Sequence, residues 1–300
     1  MSIDEVYSEE LEMASVHEPF RSALLGALKD RERTRKLLYS PRFTTLGFNA
    51  TASLLAITDD RWLVILEEER EPYVAQATFD DTLLIELSII LLNGQLKLDF
   101  VKDGASAPIA VQFDIVSKRN YFEAVELLLT GMEARPGGTA GKTNGAGQDI
   151  KNWPLKFRNI AEEYLPRGRR LVSGVHWETV YGGFDREIAP AGALICTEQE
   201  LVLVAEEKAP VWRSREERHD KYGEIITYFP LRSLANYRII EQHQFDILSL
   251  EAHARHGGEQ LKIIIAPEQR EGVQALMETC LKGKNKASSS TEIVGERRNR

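Results

Sequence analysis

"AITDDRWLVILEEE" (residues 56–69) lies over "ICTEQELVLVAEEK" (195–208) without a gap, and this match decides the fold. In each stretch an apolar run ends at a threonine, Thr58 or Thr197. Two acidic or amide residues follow, and a second apolar run ends in Glu-Glu or Glu-Glu-Lys. The pattern reads strand, tight turn, strand. Similarity continues outward in the same order. "RTRKLL" (33–38) lies over "RGRRLV" (167–172), and "FEAVELLLTG" (122–131) takes the place of "VQALMETCLKG" (273–283). The offset drifts from 134 to about 150 residues as loops differ in length. Repetition at this spacing predicts a duplicated domain, since solenoid units are far shorter.

Each copy reads as about seven strands followed by one helix. In the first, strands are expected to begin at Lys36, Leu54, Trp62, Tyr73, Leu83, Gln95 and Ile109; in the second, at Leu171, Ala193, Leu201, Glu224, Leu234, Phe245 and Glu259. "QLKLDF" is the clearest, because Leu96, Leu98 and Phe100 alternate with polar residues and so line one face. Asn93-Gly94 is expected to form a two-residue hairpin turn, since both residue types tolerate positive φ. Ser117 and Gly131 are expected to bound the first closing helix, and Pro267 suits the first turn of the second. In that helix Val273, Leu276, Met277 and Cys280 fall on one apolar stripe. Helical segments at 17–32 and 154–165 precede the two copies.

The expected organisation is an N-terminal helix and first domain over 1–131, a Gly-rich linker over 132–150, a short helix and second domain over 151–283, and a disordered tail over 284–300. The linker contains "RPGGTAGKT" (135–143), whose last three residues imitate the end of a phosphate-binding loop. The full motif needs glycine where this chain has Pro136, and proline has no N–H to offer a phosphate. That loop must also leave a strand and enter a helix, whereas a helix precedes this segment and "NGAGQD" follows it. The segment is therefore read as a joint, and no nucleotide cofactor is expected.

Composition bounds the remaining choices. The chain has 300 residues, 43% hydrophobic and 28% charged, which fits two globular cores. No apolar run approaches the ~18 residues of a membrane helix. The start, MSIDEVYSEE, is acidic where a signal peptide is basic, and the two cysteines, Cys196 and Cys280, have no motif spacing. A cytoplasmic protein without a disulfide framework is expected. The net charge is −8, with 13 Lys+Arg against 22 Asp+Glu in residues 1–130 and 25 against 24 in 131–300. An acidic first half excludes a general nucleic-acid binder, which needs a basic face.

Three motifs of the second copy, "ALICTEQELVLVAEE", "ITYFPLRSLANYRI" and "LKIIIAPEQREGVQALMETCL", resemble bacterial pleckstrin-homology-like and GRAM-like domains. "LLAITDDRWLVILEE", "ATFDDTLLIELSI" and "IAVQFDIVSKRNYFEAVELLL" in the first copy are similar. The resemblance covers roughly 33–131 and 167–283 and implies a mainly β protein of two tandem barrels. Each barrel would have about seven antiparallel strands and a C-terminal capping helix. It also implies a non-enzymatic binding or scaffold protein. Some members bind inositol phospholipids through basic residues near the first strands. Arg33, Arg35 and Lys36, and Arg167, Arg169 and Arg170, occupy those places. Guanidinium forks suit phosphate oxygens. The segment after the first strand of the second copy, "HWETVYGGFDREIAP", has only Arg186 among three acids, unlike the lipid-binding members.

Protein binding, through an insertion in the second copy or an exposed strand edge, is accordingly the leading expectation, and an anionic membrane surface the second. The insertion "KAPVWRSREERHDKYGE" (208–224) distinguishes the second copy, and Trp212 with Arg213 and Arg215 is its candidate contact. No catalytic constellation stands out. The close pair His253 and His256 would point to opposite faces of a strand, so no metal is expected there. Asp59-Asp60 and Asp80-Asp81 are read as turn formers.

Overall fold

A computed structural model describes residues 9–45, 48–133, 150–182, 186–206 and 223–281. The chain divides into two compact units, Met1–Met132 with Ala254–Gly257, and Glu133–His253 with Gly258–Arg300. The GKT segment, Trp212, Arg213, Arg215 and the C-terminal tail lie outside the described residues.

In the first unit, β1 (Glu9–Glu10), β2 (Thr34–Ser40), β5 (Ser53–Thr58), β6 (Arg61–Leu66) and β7 (Tyr73–Thr78) form one antiparallel sheet in that order. A short hairpin, β3 (Phe43–Thr45) and β4 (Phe48–Ala50), interrupts the sequence. β8 (Thr82–Ile90), β9 (Asn93–Lys102) and β10 (Ala105–Asp114) form an antiparallel meander. Between their polar ends, Ser53, Thr58 and Arg61, β5 and β6 are apolar because both of their faces are covered. On one face Leu54, Ala56, Leu63 and Ile65 cluster with Val16, Phe20 and Leu24, from α1 (Phe20–Ala27) and the segment leading into it. On the other, Leu55, Ile57, Trp62 and Val64 are also fully buried. There Trp62 meets Phe100 edge-on, ring centres 5.0 Å apart, and its Nε1 donates to Thr82 Oγ1 at 2.9 Å. Asp114 caps the turn that enters α2 (Lys118–Glu133), accepting from the N–H and hydroxyl of Ser117.

The second unit pairs β11 (Leu171–Trp177), β14 (Gly192–Thr197), β15 (Glu200–Glu206) and β16 (Gly223–Pro230) in that order. A three-stranded sheet of β17 (Leu234–Glu241), β18 (Asp246–Ala254) and β19 (Gly257–Ile265) follows, and β12 (Val180–Tyr181) pairs with β13 (Glu187–Ala189). α3 (Leu155–Tyr164) buries Phe157, Ile160 and Tyr164, and Tyr228 donates to the Tyr164 carbonyl at 2.9 Å. In α4 (270–281) the stripe Val273, Leu276, Met277 and Cys280 is buried, after a 3₁₀ turn that starts at Pro267.

The closed barrels expected from sequence are not formed. Closure requires every strand to have a hydrogen-bonded neighbour on both sides. The 3₁₀ turn Phe79–Asp81, with Phe79 buried beneath it, sends β8 into a different sheet from β7. Residues 231–233 do the same between β16 and β17. Among the described residues the architecture is a mixture of helices and open antiparallel sheets, with edge strands that include β1, β7, β17 and β19. The PH-like and GRAM-like barrel description loses its support with that finding.

Two glycine readings also change. The β8–β9 turn uses Leu91 and Leu92, and Asn93 and Gly94 lie inside β9. Gly94 is held there by packing: a Cβ at this position would sit 2.1 Å from the Phe113 ring, which stacks on Tyr121 at 3.8 Å. Gly131 does not end α2, which runs to Glu133; a Cβ on it would come within 2.5 Å of Phe79. In the second unit Gly174 lies against Trp153 and Gly192 against Trp177 in the same way.

Gly94→Ala should therefore destabilise the first unit by roughly 1–3 kcal/mol, the usual range for overpacking a core. Phe113→Leu in the same chain should recover part of that loss, and denaturant melts of the two variants test the pairing.

Candidate functional site

The matched stretches of the two units form the same hairpin. Thr58 Oγ1 donates to the Arg61 carbonyl at 2.9 Å and accepts from the N–H groups of Asp60 and Arg61. Thr197 Oγ1 lies 3.2 Å from the Glu200 carbonyl and accepts from the N–H groups of Gln199 and Glu200. One buried hydroxyl thus accepts from two backbone N–H groups of a four-residue turn in each copy, and in the second it also donates to Glu200 Oε2 at 2.5 Å.

The fourth residue of each turn carries opposite charge in the two units. In the first, Arg61 pairs with Glu32, both side chains buried, through Nε at 2.7 Å and Nη2 at 2.5 Å. Arg61 Nη2 also donates to the Ala27 carbonyl at 2.8 Å, and Nη1 to Gln76 Oε1 at 2.5 Å. In the second, Glu200 is buried and accepts from Arg169 Nε at 3.1 Å. The Arg61 bonds hold the Glu32 carboxyl at about 2, below its usual 4.5, against a burial effect that raises it. Burial raises Glu200 instead, with the bonds from Thr197 and Arg169 opposing it.

The basic residues picked out from sequence mostly end on carboxylates. Arg35 Nε meets Asp59 at 2.5 Å, and Arg170 Nη2 meets Glu198 at 2.8 Å, each at the turn of its own unit. Lys36 is buried, with Nζ 2.6 Å from Glu10 and 3.3 Å from Glu123. Arg169 faces Glu200, while Arg33 and Arg167 are exposed. The structure brings Arg33, Arg35 and Lys36 to the start of β2, and Arg167, Arg169 and Arg170 to the approach to β11. A phosphate arriving at Arg35, Lys36, Arg169 or Arg170 would compete with a carboxylate already in place. Sequence spacing alone does not reveal those acids, since Asp59 and Glu123 lie 24 and 87 residues from their partners.

Sequence reading missed one feature, the contact of the two cysteines, and left a second, the open strand edge, unassigned to a strand. Cys196 on β14 and Cys280 on α4 lie side by side, both buried, and the neighbouring Cys196 thiol together with burial pushes the Cys280 thiol far up. Alternation along β14 puts Cys196 opposite the face of β11 that carries His176, which lies 5.4 Å from Trp153. The second feature is β17, an eight-residue edge strand with Ile240 exposed. Gln242 N–H bonds the Phe245 carbonyl at 3.0 Å, which fixes the alternation along the β17–β18 pair. Tyr237, Ile239 and Glu241 accordingly turn their main-chain groups away from β18. The N–H of Tyr237 is met by Asn236 Oδ1 at 2.9 Å.

Among the described residues no group of three or more His, Cys, Asp and Glu could hold a metal, and no helix is long and apolar enough to cross a membrane. His253 lies in β18 and His256 in the turn after it. The sequence matches no family model, and it has no significant match among curated proteins.

Two measurements check these sites. The Glu32 contribution is complete above about pH 4.5 and is lost as pH falls towards about 2, since its folded-state value is depressed. It amounts to roughly 3 kcal/mol. Glu200 works with the opposite sign, because protonation relieves a carboxylate whose folded-state value is raised. Glu32→Gln should lower stability at pH 7 and flatten the decline between pH 5 and 2.5 seen by calorimetry of the native chain; an unchanged pH slope contradicts this. Cys196 and Cys280 should both resist a thiol-specific reagent in the folded protein and react once denaturant is added.

Proposed function

We propose that this chain is a non-enzymatic binding protein that captures another protein by strand addition at an open sheet edge. The observation that carries this reading is β17. Three of its residues, Tyr237, Ile239 and Glu241, direct main-chain groups outward on an edge that has no neighbouring strand in its sheet among the described residues, the Tyr237 N–H being taken by Asn236 Oδ1. Such an edge offers an extended peptide main-chain hydrogen bonds, with pockets for alternate side chains supplying selectivity. Exposed Ile240 and Arg238 flank the acceptor positions and would give a partner apolar and charged contacts.

Capture of anionic lipid or phosphate through the arginine clusters ranks second. Four of those six residues face carboxylates, and each ion pair would have to open for the anion to enter. The insertion around Trp212 is a second contact candidate for the protein-binding reading, on the sequence grounds given above.

Ile239→Pro removes an outward N–H while leaving the hydrogen-bonded β17–β18 pairs on either side in place. Affinity capture with the native chain, Ile239→Pro and Trp212→Ala should show one partner retained by the first and lost from the edge variant, without a fall of more than a few degrees in Tm. Capture that is unchanged in both variants overturns the reading.

A further inference from the structure

β8 and β9 are joined by a turn whose two residues are both leucine. Leu91 has φ of +54°, a region that glycine and asparagine enter readily and a branched apolar side chain does not. Its side chain is 40% exposed and that of Leu92 58%. Ile115 N–H donates to the Leu92 carbonyl at 3.0 Å, which brings Val116, 69% exposed, beside the turn. Three exposed apolar residues therefore lie on adjoining backbone at a hairpin end, one of them in a conformation that disfavours its side chain. Asn93 and Gly94, the better turn formers, sit immediately afterwards in the strand.

We propose that this tip is a membrane-contact element: Leu91, Leu92 and Val116 insert into the interfacial layer of a lipid bilayer. A second protein copy fits the observations less well. A stable interface buries roughly 800 Å² on each partner. Three side chains at the end of a two-residue turn supply far less. A bilayer needs no matched surface, since it accepts a small apolar projection and leaves the surrounding polar chain in the headgroups. Lys118 and Arg119 follow Val116 at the start of α2, but Arg119 Nε already meets Glu123 at 3.2 Å, so the contact does not depend on these cations. The net charge of −8 gives no general attraction to an anionic surface, so contact rests on apolar insertion and should be insensitive to salt. The tip shares no residue with the arginine clusters or with the β17 edge.

Co-sedimentation of the full chain with phosphatidylcholine vesicles, at low salt and at half-molar salt, tests the assignment. The native chain should sediment with vesicles equally at both salts. Leu92→Asp and Val116→Asp should each reduce partitioning tenfold or more with Tm unchanged, as both sites are exposed. Leu91→Asn should raise Tm, by relieving the positive-φ position, while weakening partitioning severalfold. Absence of the native chain from the vesicle pellet overturns the proposal, as does undiminished partitioning of both aspartate variants. Sedimentation only with phosphatidylserine vesicles at low salt also overturns it and assigns the contact to the basic residues. A concentration-dependent dimer that Leu92→Asp abolishes, with no vesicle binding, assigns the tip to self-association instead.

Discussion

A single threonine hydroxyl sits at the centre of each unit. Thr58 and Thr197 are both about 1% exposed, at the point where a fully buried strand reverses direction. A turn in that position has N–H groups with no strand partner, and burying them unpaired would cost several times the net worth of one ordinary hydrogen bond. The hydroxyl takes two of them and returns a hydrogen to a carbonyl of the same turn in the first unit. The register of β5 on β6, and of β14 on β15, follows from that closure, and with it the side chains that face each helix layer. Serine or asparagine could bond similarly, but threonine also suits the strand it ends.

Much of the strand arrangement could be read from the sequence, because two-sided burial and one-sided burial leave different patterns. "LLAIT" and "WLVIL" are continuous apolar runs covered on both faces, and "QLKLDF" alternates. Each strand start expected from sequence has an observed strand that begins within four residues of it. What pattern reading could not supply was connectivity between sheets. The turns at 79–81 and 231–233 are ordinary polar segments by composition, and only the burial of Phe79 or the pairing of neighbouring strands shows that they end a sheet. The glycines misled for a related reason. Asn93-Gly94 has ideal turn chemistry, yet the Phe113 ring claims the space above Gly94, so a long-range contact outweighs a local preference.

The same limit applies to the candidate sites. Cations were identifiable by residue type, but their carboxylate partners come from other strands and helices, so clusters that read as anion traps are largely neutralised within the chain. The cysteine pair was invisible at a separation of 84 residues, since neither position has motif spacing and both follow an apolar pattern. The β17 edge was visible as a strand, although its outward backbone could be assigned only from the register of β17 on β18.

Tandem copies of one sequence pattern face a particular hazard, because a segment of one can pair with the body of the other during folding. The reversed charges at Arg61 and Glu200 bear on that hazard. If the hairpin containing Glu200 docked in the first unit, its carboxylate would face Glu32; if the hairpin containing Arg61 docked in the second, its guanidinium would face Arg169. Both misassembled forms would bury like charges in contact, whereas both native forms bury opposite ones. Polarity inversion between the copies thus acts as a lock-and-key code that keeps each hairpin with its own parent.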